Sequence, residues 1–534
     1  MGVFIIQSQF LAQQLHASLT ANKHACAINQ YQSGHVTGVS GTAVDTEARQ
    51  LAAVFIDTHL AQAPVLVLLD GGLAFLSVLV AGIYAGTTIA PCPVPTKDQD
   101  YQRLSAIHND TKFKWAIVHT SDEQKIAERL PNIEIVTVES LLAKANVLKP
   151  VTEFLQPVDD ISIIQYSSGS TASPKGVLLT GKMILANFAK MRQSWKLGEQ
   201  HRYLNWLPHY HDMGLFGGIL YPILACGWIM MMASKDFISR PSIWLKLISQ
   251  YRVNFSGGPP FAYELCLRYL NSKLKAELDL SCWTSAFCGA DYIPASLKQH
   301  LVEGLSDAGF SESAFFACYG LAETVLFAGG ERCIEGQDSC ALPLLMKPKS
   351  DNTLPCYLGR EHADIGIFSL KNNESLEDGL EGEICLTGDA VALNYTSGEL
   401  PSFEYQQRRW IKTGDVGIIQ NDFLTITGRL KDIIKLRGKT LYPFDFAVLA
   451  NKICPQLNPH AIILQLAEGG DVLRFSIETY QNQSNLSHNE IAVALQLAFN
   501  DAFGVFVRDI DLYKRNTLPR TTSGKIQRWV KREE

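Results

Sequence analysis

Two long stretches without a charged residue constrain this chain more than anything else in its sequence. Residues 71–96 and 213–234 contain no Asp, Glu, Lys or Arg. Each is long enough to cross a bilayer, which takes about 20 apolar residues in a helix. The alternative is burial inside a large core. Punctuation separates the two. The first stretch holds Gly82, Gly86, Pro91, Pro93 and Pro95, and the second Gly217, Gly218, Pro222 and Gly227. Neither has a Lys/Arg cluster beside it to set an orientation. Each therefore reads as a buried helix running into a buried strand, and no stable membrane insertion is expected.

The rest of the chain agrees with a layered α/β interior. Short apolar runs such as Val65–Leu69, Trp115–Val118, Ile161–Gln165, Ile229–Met232 and Ala314–Cys318 alternate with helically spaced segments such as Gln299–Ala308. That alternation predicts mostly parallel sheets covered by helices. A length of 534 residues allows about three or four folding units. Near residue 430 the texture changes to the charged, Gly-punctuated GRLKDIIKLRG. The remaining residues mix strands (Ala461–Gln465, Leu473–Thr479) with a helix (Glu490–Phe503). The expectation is a large domain over 1–430 and a small, mobile α+β domain over 431–534.

With 47% hydrophobic and 19% charged residues the chain is not disordered, and a net charge of −6 gives no nucleic-acid footprint. The 12 cysteines contain no C-x-x-C pair and fit no zinc or disulfide framework. They read as idle thiols of a reducing, cytoplasmic compartment. The N-terminus lacks the basic start of a secretory signal.

The strongest local signal is Tyr166–Val177, YSSGSTASPKGV, directly after a strand-like run. Ser167, Ser168, Gly169, Ser170 and Thr171 are small enough for backbone N–H groups to approach phosphate oxygens, and Lys175 adds charge. The Walker spacing is absent. From composition alone a Ser/Gly-rich turn is equally acceptable.

The run resembles the phosphate-binding loop of the adenylate-forming superfamily, with Ala172 where a Gly is usual. Other motifs follow in the superfamily's order. Tyr319-Gly320-Leu321-Ala322-Glu323 resembles Y-G-x-x-E; the match implies Tyr319 against adenine and Glu323 on Mg²⁺, a hard cation suited to carboxylate. Gly289-Ala290-Asp291 falls where an adenine-contacting strand end is expected. Lys412-Thr413-Gly414-Asp415 resembles the T-G-D motif, with Asp415 on the ribose. Gly428-Arg429-Leu430-Lys431-Asp432 resembles the hinge, with Arg429 also on the ribose. Leu518–Arg528, LPRTTSGKIQR, resembles the C-terminal catalytic motif, with Lys525 as its lysine. Singly, these are a turn, a helix start and a solvated basic tail; together and in order they imply the adenylate-forming fold and an ATP-dependent acid–thiol ligase.

Trp206–Gly218, WLPHYHDMGLFGG, narrows the resemblance to the fatty acyl-AMP ligases and implies His211 and Asp212 at the mouth of an acyl pocket. Read without the resemblance, His211 is a helix-start histidine with a structural bond. SGGPPF at 256–261 and RGKTLYP at 437–443 point the same way. Two features depart from the pattern. The stretch Thr324–Gly359 looks short for the subfamily's insertion, and Pro443-Phe444-Asp445-Phe446-Ala447 lacks a usual Glu.

The resemblance implies that a fatty acid and ATP form acyl-adenylate and pyrophosphate. The acyl group then passes to the phosphopantetheine thiol of an acyl carrier protein of polyketide- or peptide-synthase type. ATP and Mg²⁺ are the implied cofactors, with Lys525, Glu323 and His211 as catalytic residues. A fatty acyl-CoA synthetase is the alternative enzyme, and a non-catalytic relative that keeps the fold the alternative of another class.

Overall fold

The computed structural model describes residues 10–21, 27–156, 160–166, 174–331, 353–359, 362–466, 472–480, 487–520 and 526. Its centre is formed by two large sheets. A seven-stranded sheet runs in the order Phe315–Ala317, Ser285–Cys288, Phe255–Gly258, Arg202–Asn205, Trp228–Met232, Ala27–Gln32, His35–Ser40, parallel throughout except at the last pair. An eight-stranded sheet carries the parallel set Ile161–Tyr166, Ile89–Pro91, Val65–Leu68, Trp115–Val118, Glu134–Thr137. On its other side Gly176–Thr180, Asn394–Tyr395 and Gly398–Glu399 join antiparallel.

Both charge-free stretches are helix followed by strand, as their punctuation predicts. The first forms Leu73–Tyr84 and Ile89–Pro91, and the second forms Met213–Leu220, Tyr221–Leu224 and Trp228–Met232. The helix Leu73–Tyr84 is buried almost throughout, so its apolar surface faces protein on all sides, as expected for a core helix. Among the described residues no helix is long and apolar enough to cross a membrane. One continuous apolar core joins both sheets through this helix, Gly41–Asp57, Gly181–Trp195 and Met213–Leu220.

Met213–Leu220 is a π-helix, a wide form that recurs at functional sites. Its start is fixed in two ways. Asp212 Oδ1 accepts from the Met213 N–H at 2.7 Å. A Cβ at Gly214 would stand 2.1 Å from the Pro208 carbonyl oxygen, so only glycine lets the helix turn so tightly behind the His211 segment.

A smaller antiparallel sheet follows, built on Gly382–Leu386, Arg408–Gln420 and Phe423–Arg429. Beyond Arg429, a separate apolar cluster runs from Ile434 to Val507. It packs the sheet Leu457–Leu466, Leu473–Thr479, Val507–Tyr513 against the helices Pro443–Ile453 and His488–Phe503. The second helix opens on a reciprocal cap between Ser487 and Glu490 and stops at Gly504, φ 60°, the left-handed stop that glycine favours. This body touches the first through polar contacts. His460 Nε2 lies 3.0 Å from Glu264 Oε1, and the Tyr480 hydroxyl donates to Glu264 Oε2 at 3.1 Å. Burial raises the Glu264 carboxyl, but His460, Tyr480 and Arg268 together hold it below its ordinary value.

Candidate active site

The site gathers where strands of both large sheets end and the small sheet begins. Ser285–Cys288 and Phe315–Ala317 are parallel neighbours, so Gly289-Ala290-Asp291 and Tyr319 leave the sheet at one edge. In parallel sheets that edge is where ligands bind. The strand ends are bonded directly, the Cys318 N–H donating to the Cys288 carbonyl at 2.8 Å. Ala290 is left-handed, φ 69°, and Asp291 Oδ1 accepts from the Tyr292 N–H at 2.9 Å.

From Tyr319 the chain makes a tight turn to Glu323. Gly320 pairs with Phe327 across a two-stranded hairpin, and a Cβ there would lie 1.7 Å from the Leu326 carbonyl oxygen. Glycine is therefore required for the turn that carries Glu323.

Three predicted residues meet at the small sheet. The buried Tyr319 donates its hydroxyl to Asp415 Oδ2 at 2.9 Å. Arg429 Nε lies 2.8 Å from Asp415 Oδ1. Asp415 and Arg429 are cross-strand partners in adjacent strands, so register sets the ion pair. Burial, then the Asp415 charge, raises the Tyr319 phenol well above its ordinary value; it stays protonated and donates. Behind them the Gly414 N–H donates to Glu383 Oε1 at 3.1 Å and Thr413 Oγ1 accepts from the Asp415 N–H at 3.0 Å, fixing the T-G-D turn.

A second group surrounds Glu323. The Tyr395 hydroxyl donates to Glu323 Oε1 at 2.7 Å, and Lys175 Nζ stands 5.2 Å from the centre of the Tyr395 ring, within cation–π range. Tyr166 and Gly176 face each other as a pair of adjacent antiparallel strands. Ser167, Ser168, Gly169, Ser170 and Thr171 lie outside the described residues, as does Lys525. Most of Thr324–Gly359, the stretch of the expected insertion, lies outside them too.

His211 borders a small cavity of about 10 Å³, room for about one water, between the Pro91–Pro93 turn, Arg103, Ile107, Tyr166 and Tyr210. Its turn is tied to the strand before the loop, with Gln165 Nε2 donating to the Tyr210 carbonyl at 2.8 Å. His211 thus shares this cavity with Tyr166. Burial, offset by Arg103, pushes the Cys92 thiol in this cavity up to about 12, so it is an inert wall group.

Glu323 supplies the kind of hard oxygen donor that Mg²⁺ takes together with substrate phosphates. Among the described residues no three His, Cys, Asp or Glu side chains gather as a protein-only metal cage. The sequence reading missed Tyr395, Thr396, Asp110 and Glu383. Only the run VALNYTSG hints at the first two, as a strand end before a Ser-Gly turn.

The profile of the AMP-binding enzymes matches residues 15–396. The chain belongs to that family. Within it, the chain is 27% identical to the medium-chain-fatty-acid–[acyl-carrier-protein] ligase JamA of Moorena producens, covering 96% of this chain and 93% of JamA. It is 32% identical to the corresponding ligase TtuA of Teredinibacter turnerae over 73% of this chain and 65% of TtuA. Among solved structures it is similar to one from a study of fatty acyl-adenylate ligases from E. coli and L. pneumophila. That match has a TM-score of 0.83 and 26% identity, over 98% of this chain and 97% of the other. The family's adenylate-forming fold, sheets with flanking helices followed by a smaller α+β part, is the one expected from the motifs.

Proposed function

We propose that this chain is a fatty acyl-AMP ligase that activates a fatty acid with ATP and passes the acyl group to the phosphopantetheine thiol of an acyl carrier protein. The observation that carries the reading is that one five-residue turn, Tyr319–Glu323, joins two polar groups of opposite use. At its start stand Asp415 and Arg429, hydroxyl- and charge-binding groups suited to a ribose. At its end stand Glu323 and Lys175, suited to a metal–phosphate assembly. The relatives' activities support the acid and the carrier as substrates.

In the first step a carboxylate oxygen attacks the α-phosphorus and pyrophosphate leaves. Such displacement depends on positioning and charge neutralisation. Tyr319 and the Gly289–Asp291 strand end form the wall for the base, and Asp415 with Arg429 orients the ribose. The loop Ser167–Thr171 and Lys175 hold the leaving pyrophosphate. Glu323 would hold Mg²⁺, which offsets phosphate charge when bound. His211, at the cavity beside Tyr166, orients the acyl carboxylate's approach. Lys525, on the smaller C-terminal domain (431–534, against 1–430 for the large one), neutralises charge developing between carboxylate and α-phosphate. In the second step the carrier's thiol sulfur attacks the acyl carbonyl and AMP leaves. A polyketide- or peptide-synthase carrier and a cytoplasmic setting complete the proposal.

The test is mass spectrometry of the purified chain with ATP, Mg²⁺ and a ladder of fatty acids, with and without CoA. Acyl-AMP that accumulates while CoA stays unacylated is the expected result. Efficient acyl-CoA formation would move the assignment to a CoA synthetase. Lys525→Ala should abolish acyl-AMP formation with the fold intact; retained activity overturns the role given to that lysine.

A further inference from the structure

The dipeptide Tyr395-Thr396 belongs to none of the motifs, yet it touches Glu323, Lys175 and Gly176 together. Tyr395 lies on the strand Asn394–Tyr395, which pairs with Gly176–Thr180 through Tyr395 and Val177. Its hydroxyl donates to Glu323 Oε1 at 2.7 Å, and its ring faces Lys175 Nζ at 5.2 Å. Thr396 grips Gly176 twice. Its N–H donates to the Gly176 carbonyl at 2.8 Å, and its Oγ1 accepts from the Gly176 N–H at 3.1 Å. The Thr396 hydroxyl in turn donates to the Asp110 carboxylate. Asp110 Oδ2 also accepts from the Tyr166 hydroxyl at 2.9 Å.

Gly176 and the Glu323 carboxylate directly, and Tyr166 through Asp110, thus hang on two consecutive residues. The geometry is demanding because the parts come from different elements. Tyr166 and Gly176 end paired strands of the eight-stranded sheet, whereas Glu323 sits on the short turn Ala322–Thr324 beyond the seven-stranded one. Nothing in the sequence neighbourhood of either fixes their separation. A second link supports the same junction, the Ala392 N–H donating to the Glu323 carbonyl at 2.8 Å. We propose that Tyr395 and Thr396 form a positioning clasp that holds the carboxylate Glu323 and the flanking residues Tyr166, Lys175 and Gly176 in one register for ATP. This rests on the reading of Glu323 and of residues 167–175 given above. Tyr395 acts on the carboxylate, and through its ring on Lys175; Thr396 acts on Gly176 and, through Asp110, on Tyr166.

The division of labour makes the clasp testable. Tyr395→Phe keeps the ring and removes the hydroxyl. Tyr395→Leu removes both. Thr396→Val keeps the shape and removes the hydroxyl, and Thr396→Ser restores it. The probe is Mn²⁺ binding to the full chain with a non-hydrolysable α,β-methylene analogue of ATP, followed by electron paramagnetic resonance. It is paired with pyrophosphate release titrated against Mg²⁺ and against ATP. Tyr395→Phe is expected to weaken Mn²⁺ about tenfold, the usual effect of losing a group that orients a metal ligand, with the KM for ATP little changed. Tyr395→Leu should add a rise in that KM. Thr396→Val should raise the KM for ATP without moving Mn²⁺ affinity, and Thr396→Ser should recover it. If the wild-type chain forms acyl-AMP and Tyr395→Phe binds Mn²⁺ as tightly as wild type, the clasp is overturned and the function stands. Equal losses of metal affinity, KM and thermal stability in every variant also overturn it, in favour of a purely structural strand edge. A wild-type chain that forms no acyl-AMP with any acid overturns the functional reading itself.

Discussion

Gly320→Ala is a one-methyl change with a large expected effect, because the space it needs is already filled by main chain. The new Cβ would lie 1.7 Å from the Leu326 carbonyl oxygen, 2.8 Å from its carbon and 3.2 Å from the Phe327 Cα. None of these is the end of a side chain that could rotate away. Restoring ordinary contact needs a displacement on the order of 1.5 Å, shared between the Tyr319-Gly320 strand and its partner Phe327–Gly329. The turn Ala322–Thr324 lies between these strands, so Glu323 moves with them. Its bond to Tyr395, now 2.7 Å, opens beyond hydrogen-bonding range. A misplacement of about 1 Å in a positioning group costs about 100-fold in rate, and overpacking costs about 1–3 kcal/mol in stability. The assay is pyrophosphate release at saturating ATP and fatty acid, with circular dichroism and a thermal melt as controls. The expected result is activity about 100-fold down in a folded protein with a modestly lower Tm. Wild-type activity in a folded Gly320→Ala variant would refute the reasoning, since the turn would then tolerate the shift.

Two further outcomes follow from groups outside the chemistry. Burial pushes the His209 imidazole down to about 4, and its Nε2 is buried without a hydrogen-bond partner among the described residues. Between the unfolded value of about 6.5 and the folded one, only the unfolded chain takes up the proton. His209's contribution to stability is therefore complete above about pH 6.5 and lost as pH falls toward 4, by at most about 3 kcal/mol because the side chain keeps some access to solvent. Urea midpoints should fall less steeply with acid in His209→Gln than in wild type, and parallel curves would sink the assignment. Glu478 is fully buried; it accepts from the Asn516 N–H at 3.0 Å and the Leu518 N–H at 2.7 Å, and pairs with Arg520. Glu478→Gln leaves that guanidinium short of its charge partner, so the C-terminal body should lose about 3 kcal/mol and become more sensitive to limited proteolysis. Since the anchored segment leads into the Lys525 motif, adenylation should fall too; a variant as resistant and as active as wild type would show that the anchor is dispensable.

The local elements were legible because each is governed by near neighbours. Helix-into-strand in both charge-free stretches follows from where glycine and proline fall, and the stop at Gly504 follows from its left-handed backbone. The motif residues were legible as types, and Asp415 and Arg429 do meet. Their meeting could not be read from spacing, because it depends on cross-strand register between Arg408–Gln420 and Phe423–Arg429. Asp110 and Thr396 show the limit plainly. They are 286 residues apart and share a hydrogen bond beside Tyr166 and Gly176, yet nothing about either marks it in sequence.

What the sequence determined by itself is the inventory: a buried α/β core, a loop of small hydroxyl residues after a strand, and an ordered series of motif side chains. Those follow from hydrophobic pattern, backbone preference and residue chemistry, which act over a few residues. What only the tertiary structure decided is the company each of those side chains keeps. Tyr319 is bound to Asp415, Glu323 to Tyr395, and Gly176 and Tyr166 to one threonine and one aspartate. Such contacts are set by how sheets from distant parts of the chain pack edge to edge, and packing is a property of the whole core, not of any segment.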